Sequence, residues 1–300
     1  MSNKTYTYAE VLILGPCSCK CFYCLGKEMP KASKESQLYT DFKDWKNFDE
    51  FIIKARSLNI KKVYVSSVNS DPLLYKHIYD LIVYLKKFFE YVGIRCNAAN
   101  LNPKTHIYRA LDECTEEISI SLNSCNEALS QKIAGEHAKT EFFLLQFYME
   151  REQRINANLK EKYPERRFRV SIVVNRYNVP QIESMLDYLA HIPLVSYVQL
   201  RRVYKYADND KEFLKDQQAF DMLKEYIETV YTKVDEYKGS PIYEYESSDF
   251  SDDEGLLKVR FSLWEDVFPE DEIRSFNYYT SGLISSNRLL VPGFEEQNIF

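Results

Sequence analysis

The chain has 300 residues, 45% of them hydrophobic, with a net charge of -6 and a pI near 5.5; this is enough apolar material for one large core. The acidic balance excludes broad, sequence-independent nucleic-acid binding, which needs a basic surface. No apolar run approaches a membrane-spanning length, and the first residues lack a signal-peptide core, so a cytoplasmic chain with no membrane partner is expected.

Short β-type runs alternate with helical patterns along the chain, which predicts βαβ units, a parallel sheet and an α/β fold. Tyr8–Leu14 reads as the first strand and runs directly into a cysteine-rich loop. A helix follows over Asn47–Leu58 with Phe48, Phe51, Ile52 and Ala55 on one face, and then a strand over Lys62–Ser67. Pro72 suits the first turn of a long amphipathic helix running to about Phe89. Further strands are expected at Val92–Asn97, Glu117–Leu122, Phe168–Val174 and Ser196–Leu200. Helices lie between them, among them a long polar one within Thr140–Leu159 and another over Pro180–His191.

The pattern changes after about Tyr206. A helix is expected over Glu212–Thr229, an acidic stretch over Glu246–Glu254, and β-type runs at Leu256–Trp264 and Ser275–Val291, the second broken by the turn signal Thr280-Ser281-Gly282. Residues 1–206 therefore read as one strand-helix unit and residues 207–300 as an α+β extension that packs on it and helps to form the substrate site. The aromatic run Phe276–Tyr279 and the segment Leu289–Phe294 are its candidate pocket-lining stretches. The 24 Tyr and 18 Phe are dispersed and are read as packing material.

The loop after the first strand reads Gly15-Pro16-Cys17-Ser18-Cys19-Lys20-Cys21-Phe22-Tyr23-Cys24. Cys17, Cys21 and Cys24 form C-x3-C-x2-C, three thiolates for one metal centre with a coordination position left over. A closed zinc site would enlist Cys19, but no second cysteine pair exists to build a zinc ribbon. A redox Cys21/Cys24 pair leaves Cys17 unexplained, and seven cysteines are too few and too odd a number for a disulfide framework.

This motif resembles the signature of the radical S-adenosylmethionine (radical SAM) superfamily. The resemblance implies a partial (β/α)6 barrel, a TIM-barrel relative, in which Cys17, Cys21 and Cys24 hold a [4Fe-4S] cluster. It also implies S-adenosyl-L-methionine (SAM) on the open iron, Tyr23 at the aromatic position of the motif, and Cys19 turned away. An electron donor such as flavodoxin or ferredoxin is implied too. The substrate would be a small molecule, nucleotide-type compound or peptide; the absence of cysteines beyond Cys125 argues against auxiliary clusters.

Strand ends offer the groups such a cofactor needs, since parallel α/β barrels gather function there. Asn69-Ser70-Asp71-Pro72 stands where the superfamily has Gly-Gly-Glu-Pro, with Asn69 and Ser70 in place of both glycines. Asp71 either orients the SAM ammonium or caps the following helix, and one residue can do both. Alternation in the fourth strand turns Ser119, Ser121 and Asn123 inward. Ser121, Asn123, Asn97 and Asn175 are candidates for the SAM carboxylate or ribose, or for hydrogen bonds within the barrel. Arg201, Arg202 and Tyr204, after the sixth strand, are candidate substrate ligands, with surface ion pairs as the alternative. Asp208-Asn209-Asp210 lacks the Gly and Glu of a calcium loop, and no P-loop or Rossmann glycine cluster occurs.

Overall fold

The computed structural model describes residues 5–28, 35–100, 105–140, 168–192, 195–203, 210–237, 240–247, 258–264 and 272–286. The elements in chain order are β1 (Thr5–Ile13), α1 (Phe48–Ser57), β2 (Lys62–Ser67), α2 (Ile78–Leu85), β3 (Tyr91–Asn97), α3 (Thr105–Asp112), β4 (Ile118–Ser121) and α4 (Glu127–Ala134). Then come β5 (Phe168–Val173), α5 (Ile182–Ala190), β6 (Val195–Arg201), α6 (Asp210–Val230), β7 (Lys233–Tyr237), β8 (Ser240–Glu246), β9 (Lys258–Trp264), β10 (Glu272–Tyr279) and β11 (Ile284–Ser285).

The strands form one mixed sheet of eleven, in the order β11-β10-β1-β2-β3-β4-β5-β6-β9-β8-β7. Its eight central strands, from β10 through β1–β6 to β9, are all parallel. Antiparallel β11 finishes one end and the β8–β7 pair the other, and the sheet is not closed. The six-strand expectation therefore undercounts the parallel run. β9 and β10, drawn from residues 207–300, extend it at both ends, and periodicity carries no information about partners so distant in sequence. No described helix is long and apolar enough to cross a membrane.

Alternation along the strands makes two unlike faces. Val65, Ile94, Ile120, Val170, Val198 and Phe276 turn outward into one core with Phe51 and Ile52 of α1, Leu81 and Ile82 of α2, and Leu186 of α5. An aromatic stack reinforces it, with Phe51 lying 5.4 Å from Phe276 and 5.3 Å from Tyr278, ring centre to ring centre. The inner face carries Glu10, Ser66, Ser119, Gln199, Ser262 and Asn277, all buried and all polar.

One expected helix is divided. Pro72–Leu74 forms a single 3-10 turn, Tyr75 is extended, and α2 starts only at Ile78. Tertiary hydrogen bonds take over the intervening backbone and side chain: the Lys76 N–H donates to the Leu38 carbonyl at 3.0 Å, and the Tyr75 hydroxyl donates to the Thr40 carbonyl at 2.9 Å. The polar helix expected within Thr140–Leu159 and the segment Leu289–Phe294 lie outside the described residues, as does most of the acidic stretch.

Candidate functional site

The cysteine loop leaves β1 at the C-terminal edge of the parallel strands and is fastened to three neighbouring strand ends. From the β2 end, the Ser70 hydroxyl donates to the Pro16 carbonyl at 3.1 Å. Gly26 lies so close to the same segment that a Cβ would run into the Val68 carbonyl and the Asn69 backbone. From the β3 end, the Asn97 amide approaches the Cys17 sulfur at 3.7 Å, and Asn100 donates to the Ser18 hydroxyl at 2.8 Å. Beyond β4, Asn123 accepts a hydrogen bond from the Tyr23 hydroxyl at 2.5 Å.

Helix α4 supplies the remaining anchorage. The Lys20 and Phe22 N–H groups donate to the Ala134 and Ile133 carbonyls at 2.7 and 3.1 Å, using acceptors that a helix end leaves open. Gly135, at φ 84°, ends that helix and makes room for Lys20. Cys19, Cys21, Phe22 and Tyr23 pack against Ile133, Ala134 and Ala138. Arg176 reaches the loop from the other side: its guanidinium lies 5.1 Å from the Phe22 ring centre while bonding Asp216 at 2.8 Å and Glu212 at 2.6 Å on α6.

Two of the loop thiols, Cys17 and Cys24, shift in opposite directions. A hydrogen bond from the Cys19 side chain, helped by the Cys19 N–H at 3.4 Å and opposed by burial, brings the Cys17 thiol down to about 7. Burial pushes the Cys24 thiol up. Cys19 lies within hydrogen-bond reach of Cys17. Among the described residues no three His, Cys, Asp or Glu side chains stand close enough together to enclose a metal ion. The donor chemistry does suit iron: three thiols share one short loop, and amide donors approach the Cys17 sulfur.

Asp71 is 1% exposed and caps the Pro72 turn, with Oδ1 accepting from the Leu73 N–H at 2.9 Å and Oδ2 from the Asn97 N–H at 2.5 Å. Burial raises its carboxyl to about 8 against the pull of those two donors. Asp71 thereby ties the β2 and β3 ends together beneath the loop. Ser121 is exposed at the end of β4 and Asn123 is buried beside Tyr23. Asn175 is placed differently: its amide donates to the Val173 carbonyl at 2.9 Å and its oxygen accepts from the Tyr177 and Asn178 N–H groups. It shapes the loop after β5.

Alternation separates the adjacent arginines. Arg202 turns to α6, where it pairs with Asp221 and lies 5.0 Å from the Phe220 ring centre. Arg201 shares the inner face with Gln199, near enough to Arg169 to act on its charge. Tyr204 lies outside the described residues.

A group the sequence reading missed occupies the inner face below these strand ends. Arg95 donates to Glu10 at 3.3 Å and to the Tyr8 hydroxyl at 3.1 Å, and its guanidinium lies 3.9 Å from the Tyr64 ring centre. Arg169 meets Glu117 at 2.9 Å and the Ser119 hydroxyl at 3.1 Å. Gly93 leaves space for the Tyr64 ring, which a Cβ would approach to 2.7 Å. Burial penalises the Arg95 charge, yet Tyr8, Glu10 and Glu117 hold its pKa above the ordinary arginine value. Burial lowers that of Arg169, and Arg95 and Arg201 add to the effect against Glu117. A charge inside an otherwise apolar strand, as at Glu10 and Arg95, is the signal that marks this group in the sequence. No family model matches this chain, and no curated protein matches it.

Proposed function

We propose that this chain is a radical SAM enzyme, with β1–β6 as the six strands of a partial barrel. The observation that carries the reading is the C-x3-C-x2-C loop at the C-terminal edge of a parallel sheet, held by side chains from the ends of the next strands. Cys17, Cys21 and Cys24 would hold the cluster, turning their thiols toward a common centre. Asp71, Asn97, Ser121 and Asn123 are the strand-end groups that would bind SAM. A [4Fe-4S] cluster held there would supply the electron for reductive cleavage of SAM and so the means of removing a hydrogen atom from the substrate.

The chain's own residues do the rest. The amide donors of Cys19 and Asn97 favour the Cys17 thiolate, the form that ligates metal. Tyr23 and the α4 carbonyls fix the loop's path. Anaerobic reconstitution, with iron and sulfide analysis and detection of 5′-deoxyadenosine, tests the reading. Cys17→Ala, Cys21→Ala and Cys24→Ala should each abolish iron binding and SAM cleavage, while Cys19→Ala keeps both. A wild-type chain that binds iron but yields no 5′-deoxyadenosine would sink the proposal. The contact between Cys19 and Cys17 favours a second reading, a closed four-thiolate site, for which Cys19→Ala would lose the metal as completely as the others.

A further inference from the structure

Arg176, in the loop after β5, stands between helix α6 and the cysteine loop. The Asp216 carboxylate is fully buried and grips it twice, accepting from the Arg176 N–H at 2.9 Å and from Nη1 at 2.8 Å. Nη1 also donates to the Glu212 carbonyl at 3.1 Å, while Nη2 meets the Glu212 carboxylate at 2.6 Å and the Tyr177 hydroxyl at 3.2 Å. With its N–H groups held in this way, the guanidinium lies over two rings, 5.1 Å from the centre of Phe22 and 4.6 Å from that of Tyr177. Those rings meet edge to face, 5.6 Å apart. From the α4 side, the Lys132 ammonium lies 4.1 Å from the Tyr177 ring centre.

Helix α6 is itself fixed. Phe220, Leu223 and Ile227 enter the main core, and the Gln217 amide donates at 2.8 Å to the Val203 carbonyl just past β6. Phe22 follows Cys21 directly and precedes Cys24 by two positions, so moving that ring moves thiol-bearing backbone on both sides of it. We infer that Arg176 is a positioning residue for the cysteine loop, carrying the placement of α6 to Phe22 and so to Cys21 and Cys24. A guanidinium suits this task, because its planar fork can bond two carboxylates while its face covers an aromatic ring. Lysine offers no such fork. Residues beyond 206 thereby help to set the loop that the first strand carries. The part Arg176 plays in holding iron rests on the proposed function; its hold on the loop does not.

The test is alkylation of the metal-free full chain with iodoacetamide, read cysteine by cysteine by mass spectrometry. Arg176→Met should speed modification of Cys21 and Cys24 about tenfold by freeing the loop to open locally. Cys96 and Cys114, buried in the core, should stay as protected as in wild type. Asp216→Asn, which keeps an acceptor but removes the charge, should speed Cys21 and Cys24 about threefold. Arg176→Met/Asp216→Asn removes the carboxylate that the single variant strands, should match its tenfold gain, and decides the matter if Arg176→Met fails to fold. Tyr226→Phe, which breaks a 2.6 Å bond from the far part of α6 to Glu183, should change the rates less than about twofold. Unchanged Cys21 and Cys24, an equal gain from Tyr226→Phe, or matching exposure of Cys96 and Cys114 overturns the assignment. In anaerobically reconstituted protein, Arg176→Met should release iron to a chelator about tenfold faster, and an unchanged release rate overturns its part in holding iron. A wild type that takes up no iron removes the cluster reading and leaves the alkylation result standing; unchanged alkylation beside normal iron uptake removes the positioning role and leaves the cluster reading standing.

Discussion

On the outer face of the sheet, β1–β6 present Val65, Ile94, Ile120 and Val198 to helices that cover them; on the inner face the same strands present Glu10, Arg95, Ser119, Arg169 and Gln199. Both faces are largely buried, so burial alone does not distinguish them. The outer face gains stability by removing apolar surface from water. The inner face forgoes that gain, and hydrogen bonds and ion pairs satisfy the polar groups it buries. Each strand thus builds the apolar core with its outer side chains and a polar network with its inner ones.

The largest effect should come from the outer face. Phe51→Ala opens a cavity against Phe276 and Tyr278, and denaturant unfolding should show a loss of about 3–5 kcal/mol. On the inner face, Glu117→Leu leaves Arg169 without its carboxylate and should cost on the order of 3 kcal/mol. Adding Arg169→Met should restore most of that loss, which no second outer-face truncation would do. A double variant no more stable than the single one would break the distinction between the faces.

Asp71→Ala leaves the Leu73 and Asn97 N–H groups without their acceptor and should cost about 2 kcal/mol. Its pH dependence has a definite sign. Burial holds the folded carboxyl up at about 8, above the ~3.9 of an exposed Asp. The contribution of Asp71 is therefore fullest below about pH 4 and is lost as pH rises toward about 8. Unfolding of the metal-free chain should show that slope in wild type and lack it in Asp71→Asn.

Smaller effects sharpen the contrast. Tyr23→Phe removes the bond to Asn123 and should cost about 1 kcal/mol, with iron retention in reconstituted protein falling further than stability does. Ser171→Ala should stay within about 0.5 kcal/mol in unfolding experiments, whereas Ile172→Val, its outward neighbour, should cost about 1 kcal/mol. Equal costs at these adjacent positions would mean that the Ser171 hydroxyl has a structural partner.

Sequence by itself determined the local elements and the cysteine loop. Strand β2 is read at its observed limits, and the buried face of α1 is read residue for residue, because hydrophobic period and turn residues are local properties. Where a distant contact competes, the local reading fails: α2 starts late because Leu38 and Thr40 claim Lys76 and Tyr75. Of the candidate site residues, Asp71, Asn97 and Asn123 gather at the cysteine loop, Asn175 is occupied by its own turn, and Arg202 faces a helix. Tertiary structure alone decided that β9 and β10 flank the six early strands. It also decided that Glu10, Arg95, Glu117 and Arg169 meet. Register between strands sets those neighbours, and register follows from the packing of whole faces, which no single strand's sequence contains.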